Sequence, residues 1–196
     1  DAEAYKGKAD AYYHLAKNNY KYSSLAIECY DKMIELNPNY VEAYKGKADT
    51  YYQLANNTYD KEKYYNLAIE CYDKVIELNP NDIEAYKGKA DICSHIGSKY
   101  DLAIECYDKV IELNPNDAEA YKWKADTCYQ LADTYSDSYD KEKYYKLAIK
   151  SYDKAIELEP SSGLYYGKRN ALNSLNRTSE AEECYRKYNE LRELGL

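Results

Sequence analysis

Apolar and aromatic residues return along this chain every three or four positions, in two kinds of stretch that alternate. In residues 42–55 they fall at Tyr44, Ala48, Tyr51 and Ala55, one narrow stripe of a helix. In residues 67–78 they fall at Leu67, Ala68, Cys71, Tyr72, Val75, Ile76 and Leu78, a wider stripe. The pattern predicts an amphipathic first helix followed by a more deeply buried second one. Each second stretch ends in the same words: Glu-Leu-Asn-Pro at 35–38, 77–80 and 112–115, and Glu-Leu-Glu-Pro at 157–160. Proline disfavours a helical residue before it, so each of these tetrapeptides is a stop signal.

The prolines are 42, 35 and 45 residues apart, yet the blocks they close keep two internal registers. Tyr5, Tyr44, Tyr86, Tyr121 and Tyr165 open the blocks, and four residues later stand Ala9, Ala48, Ala90, Ala125 and, in the last, Arg169. Counted back from the prolines, Ala26, Ala68, Ala103 and Ala148 each precede a tyrosine by four: Tyr30, Tyr72, Tyr107 and Tyr152. All the length variation therefore lies between the two helices, in residues 18–23, 56–63 and 134–143. Two of these insertions carry the same heptapeptide, Tyr-Asp-Lys-Glu-Lys-Tyr-Tyr, at 59–65 and 139–145. Asp60 and Asp140 read as helix N-caps, which starts the second helices of blocks two and four one to two turns early.

Two helices, a proline stop and a period near 34 residues resemble the tetratricopeptide repeat family. Block one carries Tyr5, Lys8, Ala9, Tyr12, Ala26, Tyr30 and Pro38 at the family's signature positions, and block two carries Tyr44, Lys47, Ala48, Tyr51, Ala68, Tyr72 and Pro80. Tyrosine replaces the usual tryptophan and phenylalanine, and Lys-Ala replaces Leu-Gly. The resemblance covers nearly the whole chain. It implies an all-α fold, a right-handed α-solenoid of stacked antiparallel helix pairs. About five repeats form a single array over 1–196, at 1–38, 39–80, 81–115, 116–160 and a C-terminal capping repeat at 161–196. Lys8, Lys47, Lys89, Lys124 and Lys168 are expected to lay their stems over the core and carry the ammonium out to water.

The last block lacks a closing proline, holds all four arginines, and has Tyr188 where the others carry Met33, Val75, Val110 or Ala155. A polar, bulky outer face suits a terminal repeat, and Gly195 suits a helix terminator. At the other end, residues 1–6 repeat residues 117–122, which follow Asn114-Pro115-Asn116. The sequence predicts at least one further repeat upstream. Cys29, Cys71, Cys106 and Cys184 share one phase and Cys93 and Cys128 another, so the six cysteines read as core residues rather than a disulfide framework. That usage implies a reducing compartment and a cytoplasmic location. No run of about 18 apolar residues exists to span a membrane. Twenty-eight tyrosines with no phenylalanine exceed what the two tyrosine phases need; the surplus clusters in the insertions, either covering helix ends or forming an aromatic contact edge.

Catalytic machinery is thin. His14 and His95 occupy one phase of different blocks, and Cys93 with His95 lacks a second ligand pair at zinc spacing. Gly7, Gly46, Gly88 and Gly167 are single glycines in repeat phase, not a phosphate loop. The net charge of −8 opposes nucleic-acid binding, where a basic excess is needed. The reading is non-enzymatic, with no cofactor, no metal, no nucleic acid and no membrane.

What the resemblance adds is a concave groove lined by first helices. Carried over by position, its contacts are Lys6, Asp10, Tyr13 and His14 in block one; Lys45, Asp49, Tyr52 and Gln53 in block two; Lys87, Asp91, Ser94 and His95 in block three; and Lys122, Asp126, Tyr129 and Gln130 in block four. Aspartate at the second of these phases would repel an acidic tail, which argues against a chaperone-tail clamp. Lysine and aspartate four apart are expected to pair along the helix, worth ~0.2 to 0.5 kcal/mol. The groove then suits a peptide or protein segment of mixed charge. Two other functions are open: a regulatory or substrate-recruiting region of a larger enzyme, and a self-associating module that uses the uncapped N-terminal repeat.

Overall fold

A computed structural model of the chain describes residues 2–17 and 19–195. Asp1, which opens the stretch shared with 117–122, Asn18, which opens the first insertion, and Leu196, which ends the capping block, lie outside the described residues. Among the described residues there are ten α-helices and no strand. They fall into two compact units, Asp1–Ile96 and Gly97–Leu196. The first unit contains α1 (Ala2–Ala16), α2 (Tyr22–Leu36), α3 (Val41–Asn56), α4 (Lys61–Leu78) and α5 (Ile83–Ser94). The second opens with a 3-10 turn, Gly97–Lys99, and contains α6 (Tyr100–Leu113), α7 (Ala118–Thr134), α8 (Ser138–Leu158), α9 (Ser162–Ser174) and α10 (Thr178–Glu193). Within each unit, consecutive helices pack on each other as hairpins and hairpin on hairpin.

The alanine registers form the core. Ala9, Ala48, Ala90 and Ala125 on first helices, and Ala26, Ala68, Ala103 and Ala148 on second helices, are completely buried. A methyl side chain at each crossing lets two backbones approach closely, and Met33, Val75, Val110 and Ala155 fill the next layer. Buried Thr50, Thr127 and Ser151 do not leave hydroxyls orphaned. Each donates back along its own helix, to the carbonyls of Gly46, Trp123 and Leu147 at 2.7 to 2.9 Å. All six cysteines are free and buried.

The proline stops act as the sequence predicts. Asn37, Asn79, Asn114 and Glu159 close the second helices in extended conformations, φ −147°, −139°, −138° and −151°, as a residue before proline requires. The Asn37 and Asn79 amide oxygens then accept the backbone N–H two residues on, at 3.1 and 3.3 Å, tightening the turn. Past the turn, Asp82 and Asp117 cap α5 and α7 by accepting from Ala85 and Ala120 N–H at 3.0 and 2.9 Å.

The two long insertions lengthen second helices: α4 and α8 have 18 and 21 residues against 15 and 14 in α2 and α6. Their starts differ from expectation. Asp60 precedes α4 but makes no side-chain cap, and Asp140 lies inside α8, whose cap is Asp137, accepting from Tyr139 N–H at 2.6 Å. Insertion tyrosines staple three hairpins shut, α1 with α2, α3 with α4 and α7 with α8. Tyr12 stacks on Tyr22, Tyr51 meets Tyr64, Tyr52 meets Tyr65, Tyr129 meets Tyr145 and Tyr135 stacks on Tyr144, with ring centroids 5.5 to 6.2 Å apart. The repeated heptapeptide thus supplies two rings to its hairpin and leaves its first tyrosine, Tyr59 or Tyr139, exposed.

Hairpins join through one recurrent lock. Tyr30 of α2 lies across Gly46 of α3, Tyr72 of α4 across Gly88 of α5, and Tyr152 of α8 across Gly167 of α9. A Cβ on any of these glycines would sit 2.4 to 2.6 Å from the ring. The lysine after each glycine pairs with the aspartate after each tyrosine: Lys47 with Asp31 at 2.6 Å, Lys89 with Asp73 at 2.5 Å and Lys168 with Asp153 at 2.6 Å. Lys124 pairs with Asp108 in the same way, although Trp123 there replaces the glycine. These lysines therefore do not carry free ammoniums to water. Their side chains are only 12 to 23 per cent exposed, and a carboxylate across the junction meets each one.

Gly88→Ala should lower stability by about 1 to 2 kcal/mol, because displacing the buried Tyr72 ring outweighs the roughly 1 kcal/mol that alanine gains over glycine in a helix. Gly7→Ala, with nothing within 4 Å of its Cβ, should raise stability by up to about 1 kcal/mol. Urea denaturation of the two variants beside the parent chain checks both signs.

Candidate interaction face

The lock carries chemistry to the first helices, because each bridging tyrosine ends in a hydroxyl. Tyr72 crosses from α4 over Gly88 and donates to Asp49 Oδ1 on α3 at 2.6 Å; Tyr152 donates likewise to Asp126 on α7. Burial raises the pKa of both carboxyls, partly offset by the tyrosine hydrogen bond and by Lys45 or Lys122 nearby. The hydroxyls of Tyr72 and Tyr152 are pushed far up, by burial first and then by the adjoining aspartate. Both aspartates are half-buried acceptors held by a neighbouring helix.

That arrangement changes the expected Lys-Asp row. Lys45 pairs not with Asp49 but with Asp82, the cap of α5, at 2.7 Å. Lys6 approaches Glu3 at 4.0 Å rather than Asp10. Lys122 is near Asp126 at 3.7 Å, the one expected spacing found, and its ammonium lies 3.6 Å over the Trp123 ring. Lysines at this phase serve junctions as much as helix surfaces, since a capped aspartate with fixed geometry is a better partner than a flexible one four residues away.

In the first unit, Lys6, Asp10, Tyr13 and His14 of α1 come together with Asp49 of α3 around a cleft of about 240 Å³, completed by Tyr30, Met33, Glu42 and Gly46. Asp10 and His14 are exposed; the Tyr13 ring stands edge-on to His14, with centroids 5.8 Å apart. Burial and Asp49 raise the Tyr13 pKa, while a bond to Gln53 lowers it. A second group forms where Tyr52, Tyr65 and His95 meet with centroids 5.9 to 6.1 Å apart. Tyr52 is pushed up to about 12, by burial and then by Asp91, and Tyr65 donates to Asn56 at 2.9 Å. His95 Nδ1 is 2.7 Å from the Asp91 carbonyl, and Ser94 donates to the same oxygen at 2.7 Å. Gln53 Oε1 is buried without a partner among the described residues. Lys87, at the same phase of α5, is half-buried. In the second unit Lys122, Asp126, Tyr129 and Gln130 share α7, with Tyr129 held by Tyr145 and Gln130 exposed.

The sequence reading missed the parts supplied by second helices. Tyr30, Tyr72 and Tyr152 reach the first-helix face from behind, hinted at only by a repeat phase matched with a glycine in the next block, and Tyr65 reaches it from the repeated heptapeptide. Among the described residues, no group of three or more His, Cys, Asp or Glu side chains is arranged to hold a metal ion, and no helix is long and apolar enough to cross a membrane.

Helix hairpins, proline stops and a glycine-tyrosine junction define a helical-repeat protein. The chain belongs to the tetratricopeptide repeat family. Models described as TPR repeat or tetratricopeptide repeat match residues 48–82, 71–105, 95–131 and 125–162, which together run unbroken over more than half of it. No curated protein matches the sequence. Among solved structures, a crystal structure of MamA protein shares 24% identity over 98% of this chain and 92% of its own, with a TM-score of 0.77. A second MamA crystal structure shares 24% over 91% and 94%, at 0.73. MamA 41-end from Desulfovibrio magneticus RS-1 shares 21% over 95% and 96%, at 0.71. At that identity the likeness is one of fold: an α-solenoid of stacked antiparallel helix pairs. In general terms, such a repeat protein is a protein-interaction scaffold.

Tyr72→Phe should cost about 1 to 2 kcal/mol, since it strips a half-buried carboxylate of its donor, and the loss should shrink in an Asp49→Asn background. Because Asp49 holds its proton more readily folded than unfolded, its contribution is full below the ordinary aspartate value of 3.8 and declines as pH rises through the raised one. Asp49→Asn should flatten that decline, which stability curves collected from pH 3 to 7 (roughly the span of a raised carboxyl) would register.

Proposed function

We propose that the chain is a non-catalytic scaffold that binds a peptide or protein segment of mixed charge along its first helices. The observation that carries this reading is the cleft between α1 and α3, where an exposed aspartate and histidine, a lysine and a half-buried tyrosine ring converge. Such a mixture offers contact area from a stiff aromatic side chain together with charges of both signs, the composition of a binding hot spot with a polar rim. Asp10, Glu42 and Asp49 against Lys6 make the cleft acidic on balance, so the segment it takes carries a basic side chain there. Tyr52, Gln53, Asp91 and His95 extend the same chemistry along α3 and α5. Lys87, and Lys122, Asp126, Tyr129 and Gln130 on α7, are further contacts under this reading. Lys45 is a supporting residue, since its ammonium holds the α5 cap.

Panning a random-peptide display library against the intact chain tests this. Enriched peptides should contain a basic residue. They should lose about tenfold or more in affinity for Tyr13→Ala or Asp10→Lys, as loss of an anchor or a charge reversal in a binding cleft does. They should bind Tyr59→Ala unchanged. Peptides that bind all of these variants equally would place the contact elsewhere.

A further inference from the structure

The two units build one tyrosine pair each and finish it differently. In the first unit Tyr52 of α3 meets Tyr65 of α4, and the ring of His95, just past α5, seats against both, with centroids 6.1 Å apart. In the second unit Tyr129 of α7 meets Tyr145 of α8 in the same way. His95 stands seven residues past the junction glycine Gly88, and seven residues past Gly167 stands Ser174. The smaller side chain keeps the local backbone contact. His95 Nδ1 lies 2.7 Å from the Asp91 carbonyl, and Ser174 Oγ donates to the Asn170 carbonyl at 3.2 Å. What the second unit lacks is the ring.

Beside Tyr145 and Ser174 it has instead a cleft of about 400 Å³, bordered by Ser138 and Lys141 of α8 and by Arg177 in the turn before α10. Three successive helices surround this cleft, so it belongs to a packed junction and not to the first or last face of the repeats. Its charge is opposite to that of the chain, whose net value is −8. Lys141, Lys146 and Arg177 line it, with Glu142 as the one carboxylate. Lys146 pairs with Glu142 at 2.5 Å and Arg177 with Glu180 at 2.6 Å, whereas half-buried Lys141 has no carboxylate partner among the described residues. Asp133 and Asp137 nearby are engaged by the Tyr145 hydroxyl and the Tyr139 N–H. The residue after Tyr65 is Asn66 and the residue after Tyr145 is Lys146, so the second unit has one ring fewer and one cation more.

We propose that this cleft is a seat for an aromatic side chain carried on an acidic segment of a partner protein. The ring enters beside Tyr145 and Ser174, as the His95 ring fills the matching place in the first unit, and meets the tyrosine tilted or edge-on. Flanking carboxylates pair with Lys141 and Arg177. A half-buried ammonium without a counter-ion gains most from such a partner, because its water is already partly removed. The seat lies apart from the cleft between α1 and α3 and does not rest on the function proposed for it.

Fluorescein-labelled Glu-Glu-Tyr-Glu-Glu, titrated with the intact chain by anisotropy, tests this beside the same labelled peptide with alanine for tyrosine. Saturable binding of the tyrosine peptide is expected, about tenfold or more tighter than that of the alanine peptide. Lys141→Glu and Arg177→Glu should each weaken it about tenfold or more. Ser174→His should do the same at about pH 8, where an ordinary histidine is neutral, because it fills the seat from within. Circular dichroism shows which variants fold, and Arg177 is exposed, so its variant carries the test if Ser174→His does not fold. Absence of saturable binding, equal affinity for the two peptides, or affinity indifferent to the folded variants overturns the proposal. So does sedimentation of the chain alone as a dimer that Ser174→His dissolves, because the occupant is then a second copy.

Discussion

At three of the four repeat junctions the structure depends on a tyrosine ring laid across a glycine. Where Tyr30, Tyr72 and Tyr152 cross Gly46, Gly88 and Gly167, the missing side chain is the space the ring occupies, so two helices approach to a distance no other residue permits. Glycine in a helix interior is unfavourable by roughly 1 kcal/mol relative to alanine. The burial of an aromatic ring to 3 to 7 per cent exposure more than offsets this, at about 25 cal/mol for each square ångström removed from water. A repeat unit with only two short helices cannot enclose a core alone. The contact that joins one repeat to the next therefore closes a core that a lone hairpin leaves open.

The same ring explains the charge pattern of the first-helix face. Its hydroxyl emerges beside an aspartate and takes it as an acceptor, which removes Asp49 and Asp126 from the stock of free carboxylates. Lys45 pairs across the junction with Asp82, whereas Lys122 stays near Asp126. A face that reads in sequence as alternating free charges is in fact a network fixed from behind. What stays open to solvent in the first unit is Asp10 and His14, and it is there that the acidic cleft lies.

Much of the fold was legible because it is local and periodic. The alanine registers, the proline stops and the two helix lengths follow from spacing alone, and the insertion at 56–63 lengthens α4 as its heptapeptide suggests. The rest depends on partners distant in sequence. Nothing near Lys47 indicates Asp31, sixteen residues back and on another helix. Lysine after glycine reads as a snorkelling side chain until the preceding hairpin is in place. Asp137 takes the capping role, its carboxylate accepting from Tyr139 N–H, so α8 begins at Ser138, ahead of Asp140. The pairing of insertion tyrosines with first-helix tyrosines is likewise a matter of which rings come to face each other.

The exception at Trp123 separates the two parts of the lock. Tryptophan stands where three other junctions have glycine, yet Lys124 and Asp108 still pair and Tyr107 stays buried. The electrostatic half of the contact thus survives loss of the steric half. An ion pair at the rim tolerates a change of ring position, because a lysine stem can reach over several ångströms. A ring over a glycine does not, since close packing leaves it one seat. At this junction the repeats stack without the glycine, on the buried Tyr107 and the Lys124–Asp108 pair. The indole that α7 gained is turned outward, 40 per cent exposed with the Lys122 ammonium over its face, so the junction has exchanged part of its buried contact for an aromatic surface.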